Sequence, residues 1–424
     1  MPGHKGMSIL GFENADITEI SGADSLYEAS GIIKESEQNA SLLFGSDTYY
    51  STEGSSQCIR AMLYLATLYA KENNKSNLIL AGRNAHKTFV SAAALLDTQI
   101  VWIEGDTADS YLSCSISADY LDSLIESRKD SPMAVYLTNP DYLGNMVDIK
   151  ALSQVCKKHN ILLLIDNAHG AYLKFLTHSE HPIDMGADMC CDSAHKTLPV
   201  LTGGAYLHIS TELSGSISPF VKDALALFGS TSPSYLILES LDCANKYIYE
   251  GYKDKLRDFI EKTEKIKTNL AKNGYSLCSQ EKLKITIRTK DYGYTGTDFA
   301  DILLDNNIVC EFSDPDFAVL MLSVETDNKA LERLEKVLLD IPRLAPIKTV
   351  PPELILPKSA MSVREATLSP KEIISTDSAK GRILAATTVG CPPAVPFIVC
   401  GEIINENTME FFRYYNIKNC VVVK

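Results

Sequence analysis

The run Ile161-Leu-Leu-Leu-Ile165, between Asn160 and Asp166, constrains this chain most. Five consecutive apolar residues without alternation mark a strand buried on both faces, and such strands belong to parallel sheets covered by helices. The neighbouring segments agree. Leu78 to Ala81, Ile100 to Ile103 and Met133 to Thr138 read as strands before it, and Asp188 to Cys191 and Ala205 to Ile209 as strands after it. Between them apolar residues recur at helical spacing, at Ile59, Met62, Leu63 and Ala66, then over Thr88 to Leu96, Asp119 to Glu126 and Ile149 to Lys158. Strands alternating with helices through residue 209 predict an α/β fold with a mostly parallel, doubly wound sheet. Residues 23 to 44 read as mixed helix and loop.

Beyond residue 209 the pattern changes. Pro233 stands early in a helix that continues to about Tyr249, and Asp254 to Ala271 forms another. From Tyr275 a smaller α+β unit is expected. It has a half-exposed strand at Ile285-Thr-Ile-Arg-Thr, a helix over Asp298 to Asp305, strands near Val309 and at Val319 to Val324, and a helix over Asn328 to Leu339. Five prolines between Pro342 and Pro357 read as a linker to a last segment. The division expected is a large domain over 1–272, a small α+β domain over 273–345 and a C-terminal subdomain over 346–424.

Composition removes whole classes of function. A formal net charge of −14, with no long basic cluster, argues against nucleic acid as a partner. No apolar run reaches transmembrane length, and the start carries no signal-peptide pattern. Eleven cysteines without C-x-x-C spacing argue against a disulfide framework or a zinc site, so no metal is expected and a reducing cytoplasm fits.

Several stretches carry chemistry. In Asp192-Ser-Ala-His-Lys-Thr-Leu-Pro, Lys196 sits in a short polar turn between two buried strands. A partly desolvated amine is a nucleophile toward carbonyls, and Ser193, His195 and Thr197 supply hydrogen-bond donors beside it. A pyridoxal 5′-phosphate Schiff base requires such a lysine; a solvated loop lysine is the plainer alternative. Glu53-Gly-Ser-Ser opens a helix, where Ser55 and Ser56 either hold an anion or merely cap. His86 follows a strand and either stacks on a flat ring or caps its helix. Asp166 ends the central strand, followed by His169, at the sheet rim where ligands of open α/β sheets gather. Ser230-Thr231-Ser232 is a further hydroxyl turn. Pro2-Gly-His-Lys-Gly6 reads as a turn presenting His4 and Lys5, or as a plain tail.

Taken in order, Gly-Ser-Ser, Asn-Ala-His-Lys, Asp-Asn-Ala-His-Gly-Ala and Ser-Ala-His-Lys-Thr-Leu-Pro resemble the Orn/Lys/Arg decarboxylase family of pyridoxal-phosphate enzymes, with the aspartate-aminotransferase fold (fold type I). Pro2-Gly-His-Lys-Gly6, Thr231-Ser-Pro-Ser-Tyr235 and the segment from Arg364-Glu-Ala through Pro392-Pro to Gly401-Glu402 are similar too. The resemblance implies decarboxylation of lysine, arginine or ornithine to a polyamine precursor. Lys196 would bind the cofactor, Asp166 would pair with its pyridine nitrogen, His86 would stack on the ring, and His169 would lie near the phenolic oxygen. Ser55, Ser56, Ser193 and His195 would hold the phosphate, and Lys196 or His195 would return a proton to the α-carbon. Thr231 and Ser232 would reach the phosphate of a neighbouring chain, which implies a homodimer or higher homo-oligomer with shared sites.

The chain departs from the family pattern in four places. It lacks the usual leading segment, which implies a truncated or misassigned start, and it lacks the wing domain of long bacterial forms. Asp141 stands where a hydroxyl is frequent, and Cys391-Pro-Pro-Ala replaces a more usual Pro-Pro-Gly; both stretches are candidates for shaping a substrate pocket. Two readings compete with decarboxylation: another pyridoxal-phosphate reaction, such as transamination or a lyase step, and a non-catalytic scaffold of the same fold.

Overall fold

The computed structural model describes all residues except 2, 106–109 and 391–393. Pro2 and the Cys391-Pro-Pro departure lie outside the described residues. The chain gathers into two compact units. One comprises Met1–Leu80, Ser117–Asn139 and Asp148–Leu256, the other Ala81–Ile116, Pro140–Val147 and Arg257–Lys424.

Seven strands precede residue 210: β1 (Asp47–Ser51), β2 (Ser76–Gly82), β3 (Gln99–Ile103), β4 (Pro132–Thr138), β5 (Leu162–Asp166), β6 (Met189–Asp192) and β7 (Ala205–Ile209). β3 falls in the second unit. In the first unit the sheet order is β1-β7-β6-β5-β4-β2. β4, β5 and β6 are parallel, with Thr138 beside Asp166 and Asp166 beside Cys191. β7 runs against both β6 and β1, so β1 shares the direction of β4–β6. The expected α/β architecture is present as a mixed, mostly parallel sheet. All five residues of β5 are buried in mid-sheet, as the unbroken apolar run requires.

These registers bring the ends of five strands, β1, β4, β5, β6 and β7, to one sheet edge. Ser51 lies beside Ala205, Asp192 beside Tyr206, and Thr138 beside Asp166. The helix Gly54–Glu72 leaves that edge and buries Cys58, Ile59, Met62, Leu63, Leu65 and Ala66. β1 was not anticipated, because Asp47-Thr-Tyr-Tyr-Ser has no aliphatic run. Its polar groups are met by neighbours instead, with Ser36 and Asn245 at the Tyr50 hydroxyl and His208 at Thr48. Lys196 stands in a one-turn helix, Ala194–Thr197, rather than an irregular turn. Pro233 precedes the helix Tyr235–Tyr247 and its N-cap Ser234, so it lies outside the first turn.

In the second unit β8 (Lys284–Arg288), β9 (Phe312–Ser313) and β10 (Phe317–Met321) form an antiparallel sheet in the order β8-β10-β9. Helices Gly296–Asp305 and Asn328–Asp340 accompany it. β8 is buried at four of its five positions, not half-exposed, because Lys284 is neutralised by Glu281 at 3.0 Å where both side chains are fully buried. Val309 is 78% exposed and outside any strand; the pairing starts at Phe312. Residues 342–357 carry no helix or strand. Lys290 pins them, donating to the Thr349 carbonyl at 2.9 Å and to Asp316 at 2.7 Å. β11 (Lys371–Ser375) and β12 (Asn419–Val423) make a two-stranded ribbon over a core that includes Phe397, Phe411 and Phe412.

Four described residues of the C-terminal motif, Arg364, Glu365, Gly401 and Glu402, make structural contacts. Arg364 donates to the Ala94 and Leu95 carbonyls, near the end of the helix Lys87–Leu96. Glu365 completes a capping box with Ser362. Glu402, 2% exposed, meets the buried Arg83 at 2.8 Å. Gly401 has a φ near +92°, and a Cβ there would press on the Met361 carbonyl. Asp141 also turns inward on its own loop, accepting from the Leu143 and Asn145 amides and from the Asn145 side chain, so its carboxylate is occupied by the turn.

Candidate active site

The site grows from the sheet edge of the first unit. Asp166 ends β5 and is 2% exposed. Its Oδ2 accepts from the Tyr136 hydroxyl at 3.1 Å, and its Oδ1 accepts from the Ala168 amide at 3.2 Å and the Cys191 thiol at 3.8 Å. Tyr136, Asp166 and Cys191 share a face because side chains alternate along strands. Desolvation pushes the Asp166 carboxyl above its ordinary value. The Lys196 ammonium opposes this most, followed by the three hydrogen bonds. Lys196 is half-buried, and its amide returns to the Ser193 carbonyl at 3.0 Å. The strand-end aspartate and the lysine picked out in the sequence therefore act on one another electrostatically.

Ser193 donates its hydroxyl to Ser55 at 2.8 Å, across 138 positions of sequence. Ser55 and Ser56 stand in the first turn of the helix Gly54–Glu72, whose N-cap, Glu53, makes no side-chain cap bond. The serines are therefore not N-caps, and the helix start stays favourable to an anion. The loop after Lys196 is fastened to the same place. The Gly54 amide donates to the Gly203 carbonyl at 2.7 Å, and Gly203, at φ near +100°, would place a Cβ 2.8 Å from the Thr52 carbonyl. Only glycine fits that approach.

His195 bonds through Nδ1 to the Gly204 carbonyl at 3.0 Å. A carbonyl only accepts, so Nδ1 carries the hydrogen in that contact. His169 is buried three residues beyond Asp166. Ser230, Thr231 and Ser232 are all exposed; Ser230 accepts from the Ser232 amide at 3.1 Å, and the helix N-cap Ser234 makes no side-chain cap bond. That hydroxyl turn does not cap its own helix. His86 belongs to the second unit and is the N-cap of the helix Lys87–Leu96, its Nδ1 accepting from the Thr88 amide at 3.2 Å.

Pyridoxal phosphate passes the test of fit. A fully desolvated carboxylate is stabilised by a fixed cation such as a ring N–H. Among the described residues the buried hydroxyls of Thr52, Thr138 and Thr197 have no hydrogen-bond partner, and all three stand at this sheet edge. Unmet buried hydroxyls call for a polar ligand. Thr197 was picked out in the sequence as a donor beside Lys196, whereas Tyr136, Thr52 and Thr138 were not; strand parity one β-strand away from Asp166 was the only signal for Tyr136.

Comparison with known proteins agrees with the geometry. The family model described as Orn/Lys/Arg decarboxylase, major domain, matches residues 11–287, and its C-terminal domain matches 349–421. An uncharacterised Bacillus subtilis protein, YaaO, is 29% identical over 96% of this chain and 86% of its own length. A protein of Halalkalibacterium halodurans named arginine decarboxylase is 28% identical over 98% of this chain and 89% of its own. Among solved structures, lysine decarboxylase A from Pseudomonas aeruginosa aligns with a TM-score of 0.81 at 16% identity, covering 100% of this chain and 78% of that one. The constitutive lysine decarboxylase of E. coli aligns at 0.77 and 17%, covering 100% and 79%. The fold is that of fold-type I pyridoxal-phosphate enzymes.

Proposed function

This chain belongs to the Orn/Lys/Arg decarboxylase family, and from that premise we propose that it decarboxylates a basic amino acid using pyridoxal 5′-phosphate. The observation that carries the proposal is the 2.8 Å contact of Ser193 with Ser55 on the sheet edge that also holds the buried Asp166 and the Lys196 turn. The cofactor, when bound, supplies an electron sink for the pair left by departing carbon dioxide. Lys196 would hold the cofactor through its side-chain amine. Asp166 keeps the ring nitrogen protonated. Ser55, Ser56 and Ser193, with the helix start behind them, hold the phosphate, and His195 adds a donor there. His169 neighbours the phenolic oxygen, and His86 is assigned to the ring face by family resemblance. Lys196 or the Nε2 of His195 delivers a proton to the α-carbon. The product is a diamine or agmatine, a polyamine precursor formed in the cytoplasm by a homodimer.

The relative named arginine decarboxylase makes arginine the first substrate to assay, with lysine and ornithine beside it. Carbon dioxide release matched by amine, with no keto acid added, is the expected result. Product formation only when a keto-acid acceptor is present would point to transamination instead. Borohydride reduction should fix the cofactor to the peptide bearing Lys196; label on another lysine would remove Lys196 from its role.

A further inference from the structure

We infer that Asp192 is a positioning residue for this site, bracing the turn that carries Asp166 from the opposite face of the sheet. The inference rests on the functional reading above. Asp166 and Cys191 occupy one face, while Cys190 and Asp192 of β6 and Tyr206 and His208 of β7 occupy the other. Asp192 Oδ1 accepts from the Asn167 side-chain amide at 2.6 Å. Asn167 is the residue after Asp166. Its own amide donates to the Cys191 carbonyl at 3.0 Å, and its carbonyl takes the Gly170 amide at 2.8 Å. A Cβ at Gly170 would overlap the Asn167 side chain, so that amide lies flat against the turn containing His169.

The other oxygen of Asp192 meets His181 Nε2 at 3.1 Å and His208 Nε2 at 3.2 Å, all three side chains wholly buried. His208 is oriented in turn by the Thr48 hydroxyl at 2.9 Å. Burial works against a charge on Asp192, but the two imidazoles outweigh it and hold the carboxyl well below the usual range. From Asp192 the chain passes directly to Ser193, the partner of Ser55. One fixed carboxylate thus ties the Asp166–Gly170 turn to the Ser193–Lys196 turn.

His181, Cys190 and Asp192 also bring ligand atoms within 4.8 Å of one another, so a metal is the rival occupant. Two observations favour the brace. The Asp192 oxygen already stands at hydrogen-bond distance from two nitrogens. Among the described residues His181 Nδ1 has no hydrogen-bond partner, whereas metal-bound imidazoles are oriented through their second nitrogen.

The test compares wild type, Asp192→Ala, Asn167→Ala and the double variant. In cofactor-free protein, amide hydrogen exchange over residues 166–170 should accelerate in each variant; unchanged exchange overturns the brace whether or not the chain binds pyridoxal phosphate. Failure of the wild type to bind pyridoxal phosphate would instead reject the functional reading and leave the exchange result to decide. With pyridoxal phosphate, each single variant should raise the dissociation constant about tenfold and move the pH midpoint of its visible band, the double variant being no worse than the singles because both break one hydrogen bond. Additive losses near a hundredfold, or lower melting temperature with unchanged affinity and spectrum, would reduce Asp192 to a core residue. Should Asp192→Ala not fold, Asn167→Ala gives the same two readouts. Stoichiometric zinc in the purified protein would replace the brace with a metal site.

Discussion

At the scale of single residues, Asp166 shows how burial and charge are balanced. Its desolvation is offset by Lys196, Tyr136 and one backbone amide, and the balance still leaves the proton held more tightly than in water. A cationic ring beside it would tip the balance to the carboxylate. Asp166→Asn keeps the shape and removes the charge, so turnover should drop about 10²–10³-fold with the fold intact. Steady-state kinetics with matched circular dichroism checks this; near-normal turnover would make Asp166 a structural residue. Asp166 and Lys196 were legible in the sequence because strand ends of an α/β sheet announce themselves. Tyr136 was not, since its part depends on which face of β4 it occupies beside β5. Asp141 was misleading in the other direction, because its carboxylate is used up by its own turn.

At the scale of elements, the start of the helix Gly54–Glu72 matters for what it lacks, a capping side chain. Ser55→Ala removes one hydroxyl that meets Ser193 and should weaken pyridoxal-phosphate retention by about 0.5–1.5 kcal/mol, a few-fold to tenfold in dissociation constant, without shortening the helix. Equilibrium dialysis against far-ultraviolet circular dichroism separates the two effects. The loop before β10 gives a pH effect. Desolvation raises Asp314 to about 7 from an ordinary 3.8, and the amides of Asp316 and Phe317 only partly offset it. The folded chain keeps a proton that the unfolded chain has released. Stability is therefore full below about pH 4 and is lost progressively as pH climbs to about 7. Asn at this position can still accept from both amides, so Asp314→Asn should flatten that decline in urea melts at pH 4.5 and 7.5. The helices and inner strands were readable from period alone; β1 and the short β9 were not, because tertiary pairing rather than apolar patterning creates them.

At the scale of the molecule, the exposed Thr231-Ser232 turn bears on assembly. It neither caps its helix nor lies buried in its own chain, which fits a role toward a second copy. Mixing Lys196→Ala chains with chains carrying Thr231→Ala and Ser232→Ala should restore activity if sites are shared, since a mixed dimer then holds one site free of both changes. No recovery, with mixed dimers demonstrated by mass spectrometry, would reject sharing. The resemblance read from the motifs extends over both matched family segments, but its C-terminal part proved to be made of caps and a buried ion pair. Breaking the Arg83–Glu402 pair leaves a charge with no partner in the interior, a loss of about 3–5 kcal/mol.

The reversed strand β7 also sets a clock. β1 is complete at Ser51, but its partner residue Ala205 leaves the ribosome about 150 residues later, roughly 8–30 s at about 5–20 residues per second. Through that interval the Tyr49-Tyr50 segment has no strand to join, and the Lys196 turn emerges before the strand that fastens it to the sheet edge. A synonymous change that stalls translation anywhere between residues 52 and 205 lengthens the exposure of β1 without altering one atom of the finished protein.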